Sequence, residues 1–229
     1  MSEISAKTAK ALGELDTPTI CNAVEVVAPE RRNRGFNIRP FVCAHRELPP
    51  IVGYARTARI RAQHQPVKSS NAIGYYTHVA EGGPLPSIVV IEDVDDTPGY
   101  GAFWGEVQTN IHKGLGAVGA VTNGSFRDVP DSARDFNLIG GKVGPSHAFV
   151  HLVDIGCQVT IYGLTVQTND IVHADQHGAV MVPADVITKI PDAIELIRRR
   201  EGVILDSVKA AGFNIEKLNV AMGQSRDIH

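Results

Sequence analysis

An α/β fold with a β-rich second half is what this sequence predicts, and three observations carry that prediction. A short apolar run, Ser87-Ile88-Val89-Val90-Ile91-Glu92-Asp93, precedes a helical pattern and then a second apolar run, Ala117 to Thr122. Short runs that are apolar at nearly every position mark strands buried on both faces. The connection between these two is long enough for a parallel crossover. From Val159 onward, short strand-like runs succeed one another with turns at Gly163, Asn169 and Gly178.

The elements follow in order. Pro29 to Pro50 is irregular, with Arg31, Arg32, Arg34, Arg39 and Arg46 interrupted by Gly35 and Pro40. It is too short for a domain and stands either as an exposed loop or as a contact for an anion or a neighbouring subunit. Val52 to Ala62 is a strand with Val52, Tyr54, Arg56, Ala58 and Ile60 in one phase. Ala72 to Glu81 is a helix closed by Gly82-Gly83-Pro84. After the Ser87 to Asp93 strand comes a loop with Asp95, Asp96, Pro98, Gly99, Gly101 and Gly105. Trp104, Val107, Ile111 and Leu115 then give a helix one apolar face, while Glu106, Asn110 and Lys113 share another. Gly114 and Gly116 suit its end. In the second half, Val159 to Tyr162, Leu164 to Val166, Asp170 to Ala174 and Ala179 to Val182 read as strands. Val186, Ile190, Ile194 and Ile197 mark an amphipathic closing helix, kinked or begun near Pro191.

Ligands of such strand–helix–strand units collect beyond the carboxyl ends of the strands, near helix N-termini. The loop Gly99 to Glu106 and the turn Asn123 to Asp131 are expected there together. Free N–H groups at the helix start favour an anion. The carboxylate of a small acid is the expected guest, because no P-loop signature accompanies the glycines. Glu106 is followed, after twenty intervening residues, by Arg127-Asp128. Arginine offers a fork for a carboxylate or enolate, and Asp128 offers hard oxygen to Mg²⁺ or Mn²⁺. Such a metal would polarise a carbonyl and stabilise an enolate. Glu106 would act as acid/base or hold a metal-bound water. The plain alternative is a turn ion pair, worth roughly 0–1 kcal/mol when exposed.

Other chemistries find less support. His173 and His177, like His147 and His151, stand four apart but in strand, turn or loop surroundings, and no HExxH occurs. His147 is expected to bond to backbone, with a place in the pocket wall open to it. Ser125 lacks a nucleophile elbow, and Gly99-x-Gly101 lacks the full dinucleotide fingerprint. Cys21, Cys43 and Cys157 make no metal spacing and read as buried thiols. A net charge of -3 gives no case for nucleic acid or membrane surfaces. No apolar run approaches a membrane span of ~20 residues, and Met1 to Lys7 lacks a signal-peptide core. One domain, 1–229, in the cytoplasm is the expectation.

From about Ala102 to Pro183 the chain resembles the RraA-like family, which includes 4-hydroxy-4-methyl-2-oxoglutarate aldolases and oxaloacetate decarboxylases. Gly105-Glu106, Arg127-Asp128 with Asp131, Asp170 to Asp175 and Gly178 to Pro183 carry the resemblance. Leu15 to Ala23 is similar to the family's opening helix. The family's aldolases carry an aspartate where this chain has Glu106. The resemblance implies a compact β/α sandwich similar to a phosphohistidine-type swivelling domain, assembled as homotrimers or hexamers with sites at subunit boundaries. It implies that Asp128 holds the metal, and that Arg127 and the backbone around Phe103, Trp104, Gly105 and Glu106 bind the pyruvoyl end of the substrate. It also implies a catalytic glutamate from a neighbouring subunit, with Glu195 and Glu201 as candidates. Glu201 is preferred because the helix is expected to give way at Gly202.

The function expected on these grounds is a class II, divalent-metal-dependent aldolase or decarboxylase lyase. It would release pyruvate from a small 2-oxo acid through an enolate. The alternative is a non-catalytic regulator, similar to the family's regulators of RNase E, that inhibits a ribonuclease by contact. Arg198-Arg199-Arg200 could serve that reading, although a helix end favours cations anyway.

Overall fold

The structure is a computed structural model that describes residues 4–67 and 71–229. Residues 1–3 of the segment read as leaderless lie outside the described residues. Helices α1 (Ala6–Gly13) and α2 (Thr17–Val27) lead into β1 (Val42–Cys43), β2 (Ile51–Arg61), α3 (Ala72–Glu81) and β3 (Ser87–Asp93). Then come β4 (Ala102–Trp104), α4 (Glu106–Gly114), β5 (Ala117–Thr122), β6 (Ser125–Phe126), β7 (Asn137–Gly140) and β8 (Lys142–Val143). The remainder is β9 (His151–Ile155), β10 (Val159–Ile161), β11 (Leu164–Val166), β12 (Ile171–Asp175), β13 (Gly178–Val182), α5 (Ile190–Lys209) and α6 (Ile215–Arg226).

A curled, mixed sheet runs β1-β7-β5-β3-β2-β12-β13, with β9 pairing on β2. The expected crossover is present, because β3 and β5 are parallel. So are β2 with β3 and β5 with β7. One face of the sheet packs on the β10–β11 hairpin. The other carries α3, Trp104, Phe126 and Phe136. A third cluster seats α1, α2 and the start of α5 against β2, β12 and β13. The expected turns at Gly163, Asn169 and Gly178 all have positive φ.

The helix after the glycine loop differs from expectation. It begins at Glu106, so Trp104 belongs to β4 and the supposed apolar stripe is out of phase: Val107 is 66% exposed. The buried face carries Thr109 and His112 instead. Both are satisfied there. The Thr109 hydroxyl donates to the Gly105 carbonyl at 2.9 Å and accepts from the Ala133 N–H at 2.9 Å. α5 starts at Ile190 with Pro191 in its first turn, as expected; the second correction is that it runs through Gly202 without a break. Glu195 and Glu201 are therefore exposed mid-helix residues. Arg199 and Arg200 donate to the carbonyls of His229 and Ile228.

His173 is a tether rather than a ligand. Its Nε2–H points at the Leu12 and Leu15 carbonyls (3.1 and 3.0 Å), so Nδ1 accepts from the Thr17 hydroxyl at 3.0 Å. Asp175 accepts the Thr17 N–H at 3.0 Å, binding α2 to the sheet. Asp175→Ala would strand that buried N–H at a cost of about 1–3 kcal/mol. Urea unfolding should show it; a change below about 0.5 kcal/mol, the scale of neutral surface substitutions, would show that the tether contributes nothing.

Candidate functional site

A small parallel sheet builds the site. β6 pairs with β4 and with β8, which sets Phe103 to Glu106 beside Arg127 and Asp128. The Arg127 N–H donates to the Trp104 carbonyl at 3.0 Å. Asp128 then turns left-handed (φ 52°), a conformation aspartate tolerates better than most residues. That turn swings its carboxylate to the start of α4. Asp128 Oδ2 accepts from the Glu106 N–H at 3.4 Å and lies 3.4 Å from Arg127 Nε. A Cβ on Gly105 would stand 2.6 Å from the same oxygen, so only glycine admits this approach. Gly105 gives α4 no side-chain cap; the Asp128 carboxylate supplies the negative charge that the helix N-terminus favours.

Beside this frame lies a cleft of about 400 Å³. Phe103, Gly105, Glu106, Arg127 and Asp128 line it, as does His147, whose Nδ1 is bonded to the Ala148 carbonyl at 2.7 Å. The side chain of Trp104 does not reach it. That ring is 1% exposed and sits 4.6 Å from the ring of His112 in the core. Glu195 and Glu201, expected to serve a neighbouring subunit's site, lie on α5 away from this chain's own cleft. Sequence reasoning missed Tyr75, Tyr76 and Gln108, which complete the wall from α3 and α4. The adjacent tyrosines inside a correctly bounded helix were the available signal.

Behind the wall, His112 is fully buried. Its Nδ1–H donates to the Gln108 carbonyl and its Nε2 accepts from the Tyr75 hydroxyl, both at 2.6 Å. Burial drives its pKa down to about 4, and holds the Tyr75 phenol well above its ordinary value. The three cysteines are free and half-buried rather than fully enclosed, and burial raises Cys21 to about 11.

The expectation of a metal centre does not hold. Among the described residues no group of three or more His, Cys, Asp or Glu side chains is placed to hold a metal ion. The carboxylate assigned to Mg²⁺ or Mn²⁺, that of Asp128, is instead held by the helix start and by Arg127. No helix among the described residues is long and apolar enough to cross a membrane.

The family profile "RraA-like: Aldolase/RraA" matches residues 17–181. The chain belongs to the RraA-like family. A curated relative, Protein DlpA of Legionella pneumophila subsp. pneumophila (strain Philadelphia 1), is 27% identical over 154 residues, 64% of this chain. The chain spans only 23% of that relative's length. Among solved structures, one described as novel cellulases from microbes associated with the gut ecosystem superposes with a TM-score of 0.71 at 18% identity, covering 88% of each chain. Streptomyces coelicolor RraAS2, described as an unusual member of the RNase ES inhibitor RraA protein family, gives 0.68 at 19% identity, over 88% of this chain and 97% of that one. At these identities both likenesses concern the RraA-like fold alone. The lack of a metal-holding group among the described residues overturns the expected metal-dependent aldolase or decarboxylase lyase releasing pyruvate.

His112 gives the site a pH signature. Unfolded, its imidazole takes up a proton near 6.5; folded, it resists down to about 4. Its stabilisation is complete above the unfolded value and is lost as pH falls through that window, roughly 3 kcal/mol in all. Thermal melts between pH 7 and 4 should steepen their decline below 6.5, and His112→Phe should flatten it. Equal slopes in both proteins would refute the buried neutral imidazole.

Proposed function

We propose that this chain is a non-catalytic RraA-type regulator that docks on a ribonuclease and inhibits it by contact. The observation that carries this reading is the position of Asp128. Its carboxylate closes the start of α4 and pairs with Arg127, which makes the acid–arginine motif a stiff frame for a surface. The description of RraAS2 supports the class of partner. On this reading Phe103, Gly105, Glu106 and Arg127 form part of the contact face, Asp128 holds its frame, and Trp104 supports it from below. Arginine beside aromatic rings is a composition common in interface hot spots, and exposed Val107 extends the face with apolar surface.

The chain acts as one domain over 1–229, in the cytoplasm, with the likeness to a phosphohistidine-type swivelling domain as part of the same proposal. It works as a homo-oligomer, trimer or hexamer. In support, Leu205, Val208, Ile215, Val220 and Met222 on the α5–α6 hairpin are exposed, apolar surface of the kind a second copy would cover. Glu201 belongs to that boundary on this reading.

The test adds the purified chain to an RNase E-type endoribonuclease cleaving a fluorogenic RNA, with light scattering on a sizing column. Cleavage should fall with added chain, and Arg127→Ala or Val107→Asp should raise the half-inhibiting concentration about tenfold. A folded oligomer that leaves cleavage untouched would overturn the regulator; a monomer at working concentration would overturn the assembly.

A further inference from the structure

The arginine-rich segment between α2 and β2 has no role in the reading above, and its path is unusual. Gly35 to Asn37 lie along β13: the Met181 N–H donates to the Gly35 carbonyl at 2.8 Å, and Phe36 bridges Val180. The Ile38 N–H then donates to the Tyr162 carbonyl at 2.7 Å, and the Phe41 ring packs 5.1 Å from that of Tyr162. Val42 and Cys43 finally pair with β7. The segment is thus a strap that crosses from one edge of the curled sheet to the other.

Its two sides differ in chemistry. Phe36, Phe41 and Cys43 turn inward and are half-buried against the core. Outward stand Ile38, 74% exposed, and Val42, and Arg34, Arg39 and Arg46 of the same segment are exposed as well. Among the described residues none of these three arginines pairs with a carboxylate, whereas Arg32 is answered by Glu25. Arg39 lies 5.9 Å from the Tyr162 ring centre, and Arg46 donates to the Gln176 side-chain oxygen at 3.0 Å. Three guanidinium groups without an ion pair thus alternate with apolar side chains along this one segment, on a chain whose net charge is -3.

We propose that the outer side of the strap docks an acidic segment of a partner protein, one whose carboxylates flank an apolar side chain. This goes beyond contact at the cleft and does not require the partner to be a ribonuclease. The guanidinium fork matches a carboxylate in two hydrogen bonds. Ile38 and Val42 supply the apolar area between the forks, and opposite charge around them gives register and a faster encounter. A nucleic acid fits less well. Single strands are held by aromatic faces lining a continuous basic groove, but the rings here turn inward or lie beneath Arg39, and the chain's net charge repels a polyanion away from the strap.

Fluorescence anisotropy tests this with a short labelled peptide of alternating glutamate and valine, against a lysine–valine peptide and an oligouridylate of equal length. The glutamate peptide should bind saturably, release at high salt, and bind at least about tenfold more weakly to Arg34→Ser/Arg39→Ser/Arg46→Ser. Ile38→Asp, which leaves all three arginines in place, should weaken it as well. Circular dichroism and melting confirm that the variants fold. Equal binding of the lysine peptide, tighter binding of the oligouridylate, or undiminished binding to the triple variant would each overturn the proposal.

Discussion

Burial of β2 on both faces is the constraint on which the rest of the structure depends. From Ile51 to Ala58 every residue of this strand is buried. It pairs with β3 on one side and with β12 and then β9 on the other. Both of its faces must therefore be covered, one by the β10–β11 hairpin and the other by α1, α2 and α5 at its start and α3 with the aromatic cluster at its end. Even a cation is enclosed. The guanidinium of Arg56 is met only by neutral oxygens, from Asn169 at 2.7 Å, Pro84 at 2.6 Å and Ala55 at 3.4 Å. Those bonds tie the corner before β3 and the turn before β12 to the central strand. A buried charge held this way is costly to disturb, which fixes the loops it touches.

Long elements were legible in the sequence because their signals are local. The strand Ser87–Asp93, the helix Ala72–Glu81 and the strand Ala117–Thr122 stand at their expected bounds. Strands of two or three residues, such as β4, β6 and β8, carry no periodicity to read. They exist only because distant segments pair. That is also why α4 was placed in the wrong phase: a buried aromatic, Trp104, was credited to the helix when it belonged to a strand just before it. The residues that are buried on α4, Thr109 and His112, look like surface residues until their partners Ala133 and Tyr75 are known.

The candidate site divides along the same line. The sequence placed the glycine loop beside the Arg127–Asp128 turn, and they do meet. It pointed to a guest acid as the anion at the start of α4, and the chain's own Asp128 stands there. A guest carboxylate and the chain's own Asp128 satisfy that helix end by the same physics. Only the left-handed turn at Asp128 decides between them, and no residue pattern announces that turn.

The strap has a kinetic consequence. It binds residues as far apart as Asn37 and Ala179, 142 positions along the chain, and its other end needs β7. Loop closure over such a distance gains nothing until both anchoring strands are in place. The strap therefore seats late, and until it does the outer edges of β13 and β7 stand open to pairing with other chains. The same residues that finish the molecule close its edges against other chains only once folding is complete.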